Sequence, residues 1–254
     1  MSALIISLIA FACIFGGTLL GMFLRTILPG HHVGDDSKDA VKLGTGMIAT
    51  MAALVLALLI ASAKGNFDTM SSDLRQASAR VILLDRVMAH YGPETNEARD
   101  LLRRDIASTI KRVWPEDKIG QAVTEAPQGR INFEAIQDKL RQLSPRNDAQ
   151  RWLQSRALEI SGEIAEGRWL LIEQLGQRSI PMPFFVILVF WLTIIFASFG
   201  LFSPRNATVI TVLLICALSA AGSLFLIMEL DTPYQGLIKV SSAPLRIALA
   251  HLGQ

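Results

Sequence analysis

The chain has little of what marks a secreted, catalytic or nucleic-acid-binding domain. Cysteine occurs twice in 254 residues, at Cys13 and Cys216, and both positions lie inside apolar runs. Secreted disulfide frameworks place several cysteines in polar loops, so no structural disulfide is expected. The plain reading of both is a small buried residue at a helix contact. Aromatic residues make up 7% of the chain and no alternating strand pattern recurs, which argues against a membrane β-barrel. A net charge of +2 without any block of like charges gives no footing for nucleic acid or for a polybasic or acidic tail. No Walker loop, Gly-rich dinucleotide turn, nucleophile elbow or zinc-protease helix occurs, so no enzyme and no cofactor is expected.

Apolar residues, in contrast, are abundant at 51%, with a mean hydropathy of +0.41. Four runs carry them: Ser2–Leu24, Val41–Ala63, Pro183–Phe202 and Ala207–Met228. Each is about 20 residues long, the length an α-helix needs to cross a hydrocarbon core about 30 Å thick. The first run has no basic n-region and exceeds a signal-peptide h-region, so it reads as a membrane helix. The expected fold is an all-α membrane protein with four transmembrane helices in two hairpin pairs and a helical-bundle domain between them. Its parts are the first helix pair (1–64), an extramembrane helical domain (65–179), the second pair (180–228) and an interfacial C-terminal segment (229–254). No run holds an acidic or basic residue near its middle, which disfavours a proton-coupled pump or secondary transporter. There is no sign of inverted repeats with broken helices either.

A polar loop, Arg25–Ala40, joins the first two runs, with Pro29-Gly30 as its turn and Asp35, Asp36 and Ser37 as N-cap candidates. Ser203-Pro204-Arg205-Asn206 joins the last two, tightly enough to force an antiparallel hairpin. Four spans put both termini and the helical domain on one side of the bilayer. Lys64, Arg75, Arg80, Arg168, Arg178, Lys239 and Arg246 lie on that side, against Arg25, Lys38, Lys42 and Arg205 on the other. The positive-inside rule therefore leans towards a cytoplasmic domain, although Arg25 after an uncharged N-terminus pulls the first span the other way.

Between the helix pairs, Phe67, Met70, Leu74, Ala77, Val81, Leu84, Met88 and Tyr91 recur at steps of three and four until Gly92-Pro93. This heptad seam predicts a helix continuing out of the second span, with Gly65 as a flex point. Thr95 should cap the next helix (Ala98, Leu102, Ile106, Thr109, Val113), which Pro115 stops. A Pro127–Gly129 turn should precede Asn132–Leu143, with Phe133, Ile136, Leu140 and Leu143 on its apolar face. After Ser144-Pro145, a helix from Asn147 to about Gln177 carries Leu153, Ala157, Ile160, Ile164, Leu171 and Leu175. Leu245–Leu252 is amphipathic and too short to span, so it should lie at the interface or dock on the domain. Trp114, Trp152, Trp169 and Trp191 read as core or interfacial anchors.

The second span carries a stripe of small or weakly polar residues, Gly46, Thr50, Ala53, Ala57 and Ala61, leading to Lys64. Such stripes ordinarily let helices pack closely in lipid, and Gly17-x-x-x-Gly21 in the first span reads that way. Alternatively, the second stripe lines a pore shared between subunits, with Thr50 presenting a hydroxyl and Met51, Leu54 and Leu58 forming an apolar neck. Asp39, Lys42 and Lys64 would then stand at the pore mouths in several copies and set ion preference. His31, His32, Asp35 and Asp36 are weak metal candidates, because they follow neither an EF-hand nor a zinc-ligand spacing. Glu229 and Asp231 read as a solvated helix end, and His90 with Glu94 as a structural pair.

Several segments resemble the bestrophin-like family of bacterial and plant membrane proteins. They are His31-His32, Asp36-Ser37-Lys38-Asp39, Val41-Lys42-Leu43-Gly44, the run from Ala49 to Leu56, Ile82-Leu83-Leu84-Asp85-Arg86 and His90-Tyr91-Gly92-Pro93-Glu94. Glu97-Ala98-Arg99 and the closing Glu229-Leu230-Asp231-x-Pro233-Tyr234-x-Gly236 complete the set. The resemblance implies four spans, a cytosolic helical domain, a bacterial inner-membrane location and an oligomer, distantly like the pentameric chloride channels of the true bestrophins. The second span has Met47, Met51, Leu54 and Leu58 in place of their phenylalanines, and Glu229 with Asp231 does not reproduce their acidic calcium clasp. The reading that follows is a homo-oligomeric (tetrameric or pentameric), passive channel for small inorganic ions, with anions as candidates, embedded in lipid. The alternative is a non-conducting scaffold or sensor whose helical domain binds a protein partner.

Overall fold

The computed structural model describes residues 3–29, 35–114, 127–176, 180–234 and 236–253, with the side chains of 35–37, 127–132 and 172–176 left aside. All regular structure among the described residues is helical. The elements are α1 (Ala3–Ile27), α2 (Asp35–Tyr91), a 3-10 turn (Pro93–Thr95), α3 (Asn96–Val113), α4 (Pro127–Arg141), α5 (Asp148–Gly176), α6 (Met182–Phe202), α7 (Ala207–Leu230) and α8 (Ala243–His251). The chain divides into two compact units, one of residues 1–67 with 178–239 and the other of 68–177 with 240–254.

The first unit holds the four apolar helices, each long and apolar enough to cross a bilayer. α1 packs along α6 and α7. A Cβ added at Gly17 would lie 2.9 Å from Thr193, one at Gly21 would run into the Ala197 carbonyl, and one at Gly200 would meet the Thr18 carbonyl. From Gly17 to Gly21 the contact on α6 also advances four residues, so the two helices run in the same direction. Glycine at these points lets the backbones touch, and van der Waals contact drives association where water is absent. The glycine pair thus packs as the sequence suggests, but its stripe passes through Ile14, which is fully buried, and leaves Cys13 exposed. Cys216 is exposed as well, so the expectation that both cysteines sit buried at helix contacts is wrong. Replacing Gly21 with leucine must push α6 off α1. We expect a loss of about 1–3 kcal/mol or more from overpacking, read as a lower melting temperature in detergent, while leucine at open Gly222 changes little.

At the far end of α1, Arg25 donates to the Ser203 carbonyl and Arg205 to the Met22 carbonyl. Ser203 is the C-cap of α6, where the backbone leaves an acceptor open and favours positive charge, whereas Met22 lies within α1, short of its end at Ile27. Asn206 caps α7, its Oδ1 accepting from the Val209 amide at 2.8 Å. Helix extends through Arg25 to Ile27 and is present again from Asp35, so both ends of the expected Arg25–Ala40 loop are helical. A helix already under way at Asp35 also displaces the proposed cap at Asp36 and Ser37. α2 brings Ala52, Leu59 and Ala63 to a core shared with Ile14, Leu188, Ala217 and Leu224.

In the second unit, the seam of α2 is buried as its spacing predicts: Met70, Leu74, Val81, Leu84, Met88 and Tyr91 are all inside. The helix passes through Gly65 without interruption. Thr95 does not cap α3 with its side chain; its hydroxyl bonds the carbonyls of Met88 (2.6 Å) and Gly92 (2.8 Å) and so fixes the turn instead. The expected Pro127–Gly129 turn is the first turn of α4, where proline suits a helix start because its missing N–H has no partner to lose. Pro115 and 116–126 lie outside the described residues, as does the side chain of Leu175. Phe133, Ile136 and Leu140 face Ala157, Ile160 and Ile164 as buried stripes of α4 and α5. α8 docks on α3 through buried Leu245 and Ala248, and the Trp114 indole donates to the Val240 carbonyl at 2.8 Å. Trp152 and Trp169, by contrast, stand exposed rather than in the core.

Two buried ion pairs cross this unit. Asp85 is 1% exposed and takes a bidentate contact from Arg99 at 2.7 and 3.0 Å. The same hydrogen bond raises the Arg99 pKa, with burial opposing it. Asp105, 0% exposed, is held by both terminal nitrogens of Arg168, whose guanidinium also lies 5.1 Å from the Phe133 ring centre. One network therefore reaches α3, α4 and α5.

Candidate conduction surface and its surroundings

α2 is the least buried of the four apolar helices. Only 17% of its most apolar window is inside the unit, against 28% in each of the others. The buried positions are Ala52, Leu59 and Ala63, with Ile48, Val55 and Ile60 beside them. The opposite side of the helix carries Gly46, Thr50, Met51, Ala53, Leu54, Ala57, Leu58 and Ala61, and all eight are exposed. A Cβ added at Gly46 would meet nothing, so the chain's own packing does not call for this glycine. The Thr50 hydroxyl gives its hydrogen to the Met47 carbonyl at 2.8 Å and presents lone pairs outward.

The charged residues at the ends of this surface are exposed too. Asp39 and Lys42 stand near the start of α2, and Lys64 lies with its ammonium 5.7 Å from the Phe67 ring centre. At 1.5 Å per residue, Lys42 and Lys64 are about 33 Å apart along the helix, close to the thickness of a hydrocarbon core. Of the weak metal candidates, His31 and His32 lie outside the described residues; Asp35 and Asp36 begin α2, but their side chains are not described. No cluster of metal-ligating side chains occurs among the described residues.

A family model for the Bestrophin-like domain matches residues 12–245. The chain belongs to the Bestrophin-like family. No curated protein matches it. Among solved structures, a crystal structure of a point mutant of a bacterial bestrophin homolog from Klebsiella pneumoniae aligns with a TM-score of 0.60 at 13% identity. The alignment covers 96% of this Bestrophin-like chain and 97% of the other, so the likeness in fold runs end to end.

The family's closing motif, read from sequence as a solvated helix end, is corrected by the structure. Glu229 is 5% and Asp231 8% exposed. Glu229 Oε2 accepts from the Leu237 amide at 2.5 Å and from the Ile238 amide at 3.3 Å, so the carboxylate folds the chain after α7 back upon itself. Gly236 makes this possible. Its φ is +110°, and a Cβ there would run into the same carboxylate oxygen, closer than side chains approach in real structures. The fold-back accounts for Glu229 and Gly236 standing seven residues apart in this chain: one supplies the acceptor and the other the space. Gly236→Ala should therefore cost about 1–3 kcal/mol from the unfavourable φ alone and more from the contact. Limited proteolysis after α7 is the measurement, and uncut protein at wild-type rates would refute the expectation.

Proposed function

We propose that the protein is the subunit of a homo-oligomeric, passive ion channel whose axis is lined by the outward face of α2. The observation that carries the reading is the division of labour on that helix. One side of it, Ala52, Leu59 and Ala63, packs into its own chain, while a continuous face of Gly46, Thr50, Ala53, Ala57 and Ala61 beside Met51, Leu54 and Leu58 is left exposed. Family membership and the end-to-end likeness to a bestrophin homolog support the same conclusion.

Along the axis, small residues would leave room for an ion, and Met51, Leu54 and Leu58 would form an apolar neck that conducts when wet and closes when dry. With its hydrogen committed to Met47, Thr50 is poorly placed to solvate an anion. Ion preference would then rest on the charged residues at the two ends, where Lys42 and Lys64 outnumber Asp39, which favours anions. The helical unit faces the cytoplasm in this reading, on the side rich in arginine and lysine. Purified protein in planar bilayers tests the proposal. We expect single-channel currents, reduced at least tenfold by Thr50→Trp or Met51→Trp. Electrical silence together with a monomeric mass in detergent would favour a scaffold instead.

A further inference from the structure

The second unit carries two exposed helix faces of opposite character. On α5, Trp152, Ser155, Glu159, Gly162, Glu166 and Trp169 follow one another at steps of three and four, which places them on one side of the helix, and all are exposed. The tryptophans are 65% and 52% exposed, unusual for so large an apolar side chain, and between them stand Glu166 and Glu159, the latter paired with Arg156 of its own helix at 2.7 Å yet still 60% exposed. On α2, Arg75, Ala79, Leu83 and Arg86 make a second exposed stripe whose charges are basic. The Arg80–Glu163 ion pair, at 2.9 Å, holds the two helices side by side.

Gly162 supplies an independent observation. It interrupts a 29-residue helix although glycine is the poorest helix former after proline. A Cβ there would meet nothing within 4 Å, so nothing in its own chain requires the gap. A glycine kept small on an exposed face, between two tryptophans, fits the close approach of another helix.

We infer that the α5 face of one subunit docks on the α2 face of a neighbouring copy, through Trp152, Glu159, Gly162 and Glu166 on one side and Arg75, Ala79, Leu83 and Arg86 on the other. This rests on the oligomer of the proposed function and assigns its contacts outside the apolar helices. A second copy is the occupant because its α2 stripe brings Ala79 to fit over Gly162 and arginines to meet Glu166 and the exposed part of Glu159. Anionic lipid would be repelled by Glu159 and Glu166. The two faces differ, so the contact is head-to-tail, the kind that closes into a ring. Tryptophan and arginine, which flank its small-residue centre, are among the residue types that carry most interface energy.

The test uses the full chain in detergent, with Cys13 and Cys216 replaced by alanine. One tagged copy carries Ala79→Cys and a differently tagged copy carries Gly162→Cys. We expect mild oxidation to give a disulfide joining the two tags. Adding E159R and E166R to the Gly162→Cys copy should lower its yield at least tenfold, and adding R75E and R86E to the other copy should restore it. Native mass spectrometry of the unmodified protein runs alongside. An oligomeric mass without the cross-link overturns this interface and leaves the channel reading intact. A monomeric mass removes the interface and the oligomer together. A cross-link indifferent to charge reversal also overturns the pairing.

Discussion

Replacing Asp105 with alanine is expected to be among the most damaging single changes outside the apolar helices. The carboxylate is fully buried on α3 and holds the Arg168 guanidinium of α5, which also lies over Phe133 of α4. Truncation leaves that guanidinium with its main partner gone in a largely apolar surrounding. Removing one member of a buried pair typically costs about 3–5 kcal/mol. Because the Arg168 side chain keeps 25% of its surface in water, the lower end of that range applies. For a unit of this size the loss corresponds to a fall in Tm on the order of 10 °C, measurable by circular dichroism in detergent. The companion variant Asp105→Ala with Arg168→Met should recover most of it, since well-packed apolar replacements of a buried pair are often neutral. If Asp105→Ala costs under about 1 kcal/mol, or the double variant is no better, the pair does not hold the helices together as described.

The signal for that pair was present in the sequence. Asp105 lies three residues after Leu102 and next to Ile106, on the very stripe that makes α3 amphipathic, and Asp85 interrupts the buried side of α2 beside Leu84. An acid on an apolar stripe must find a cation once buried. Periodicity can place these carboxylates on a buried stripe but cannot name their partners, which come from other helices: Arg168 is 63 positions away. Glu229 was less legible. Its acceptors are met by backbone amides of the following loop, which no side-chain pattern encodes, and only Gly236 hinted at a crowded turn.

The long elements were readable because they repeat a simple physical rule over many residues. Twenty apolar positions cannot stay in water, and a seam at steps of three and four can bury only as a helix. Their ends followed weaker rules. Arg25 is charged yet helical because its guanidinium reaches the open carbonyl of Ser203, and Pro127 starts a helix rather than a turn because its ring suits the first helical position. The side chains of a span are harder again. Cys13 and Ile14 differ by one position, about 100° around α1, and which of them faces α6 is set by where Gly17, Gly21 and Gly200 let the helices meet.

The same difficulty governs α2, whose outward face carries the functional proposal, and reversing its terminal charges should have the largest electrical effect. Lys42 and Lys64 stand on the exposed part of the helix at either end of its apolar stretch. In a ring each is repeated once per subunit, so a reversal changes the mouth by two charges for every copy. Low-dielectric walls focus such fields far more than open water does. Under a tenfold salt gradient, the wild type should reverse on the chloride side of zero, within the limit of about 59 mV for a perfectly selective monovalent pore. Lys42→Glu with Lys64→Glu should move the reversal potential through zero to the cation side. Each single variant should fall between, with conductance falling more at low salt than at high salt because mobile ions screen the end charges. Lys64→Glu also gives up the contact with Phe67, so Lys64→Gln serves as the control that removes the contact without reversing the charge. A reversal potential unmoved by the double substitution, in a protein that still conducts, would show that ions pass along a path these lysines do not face.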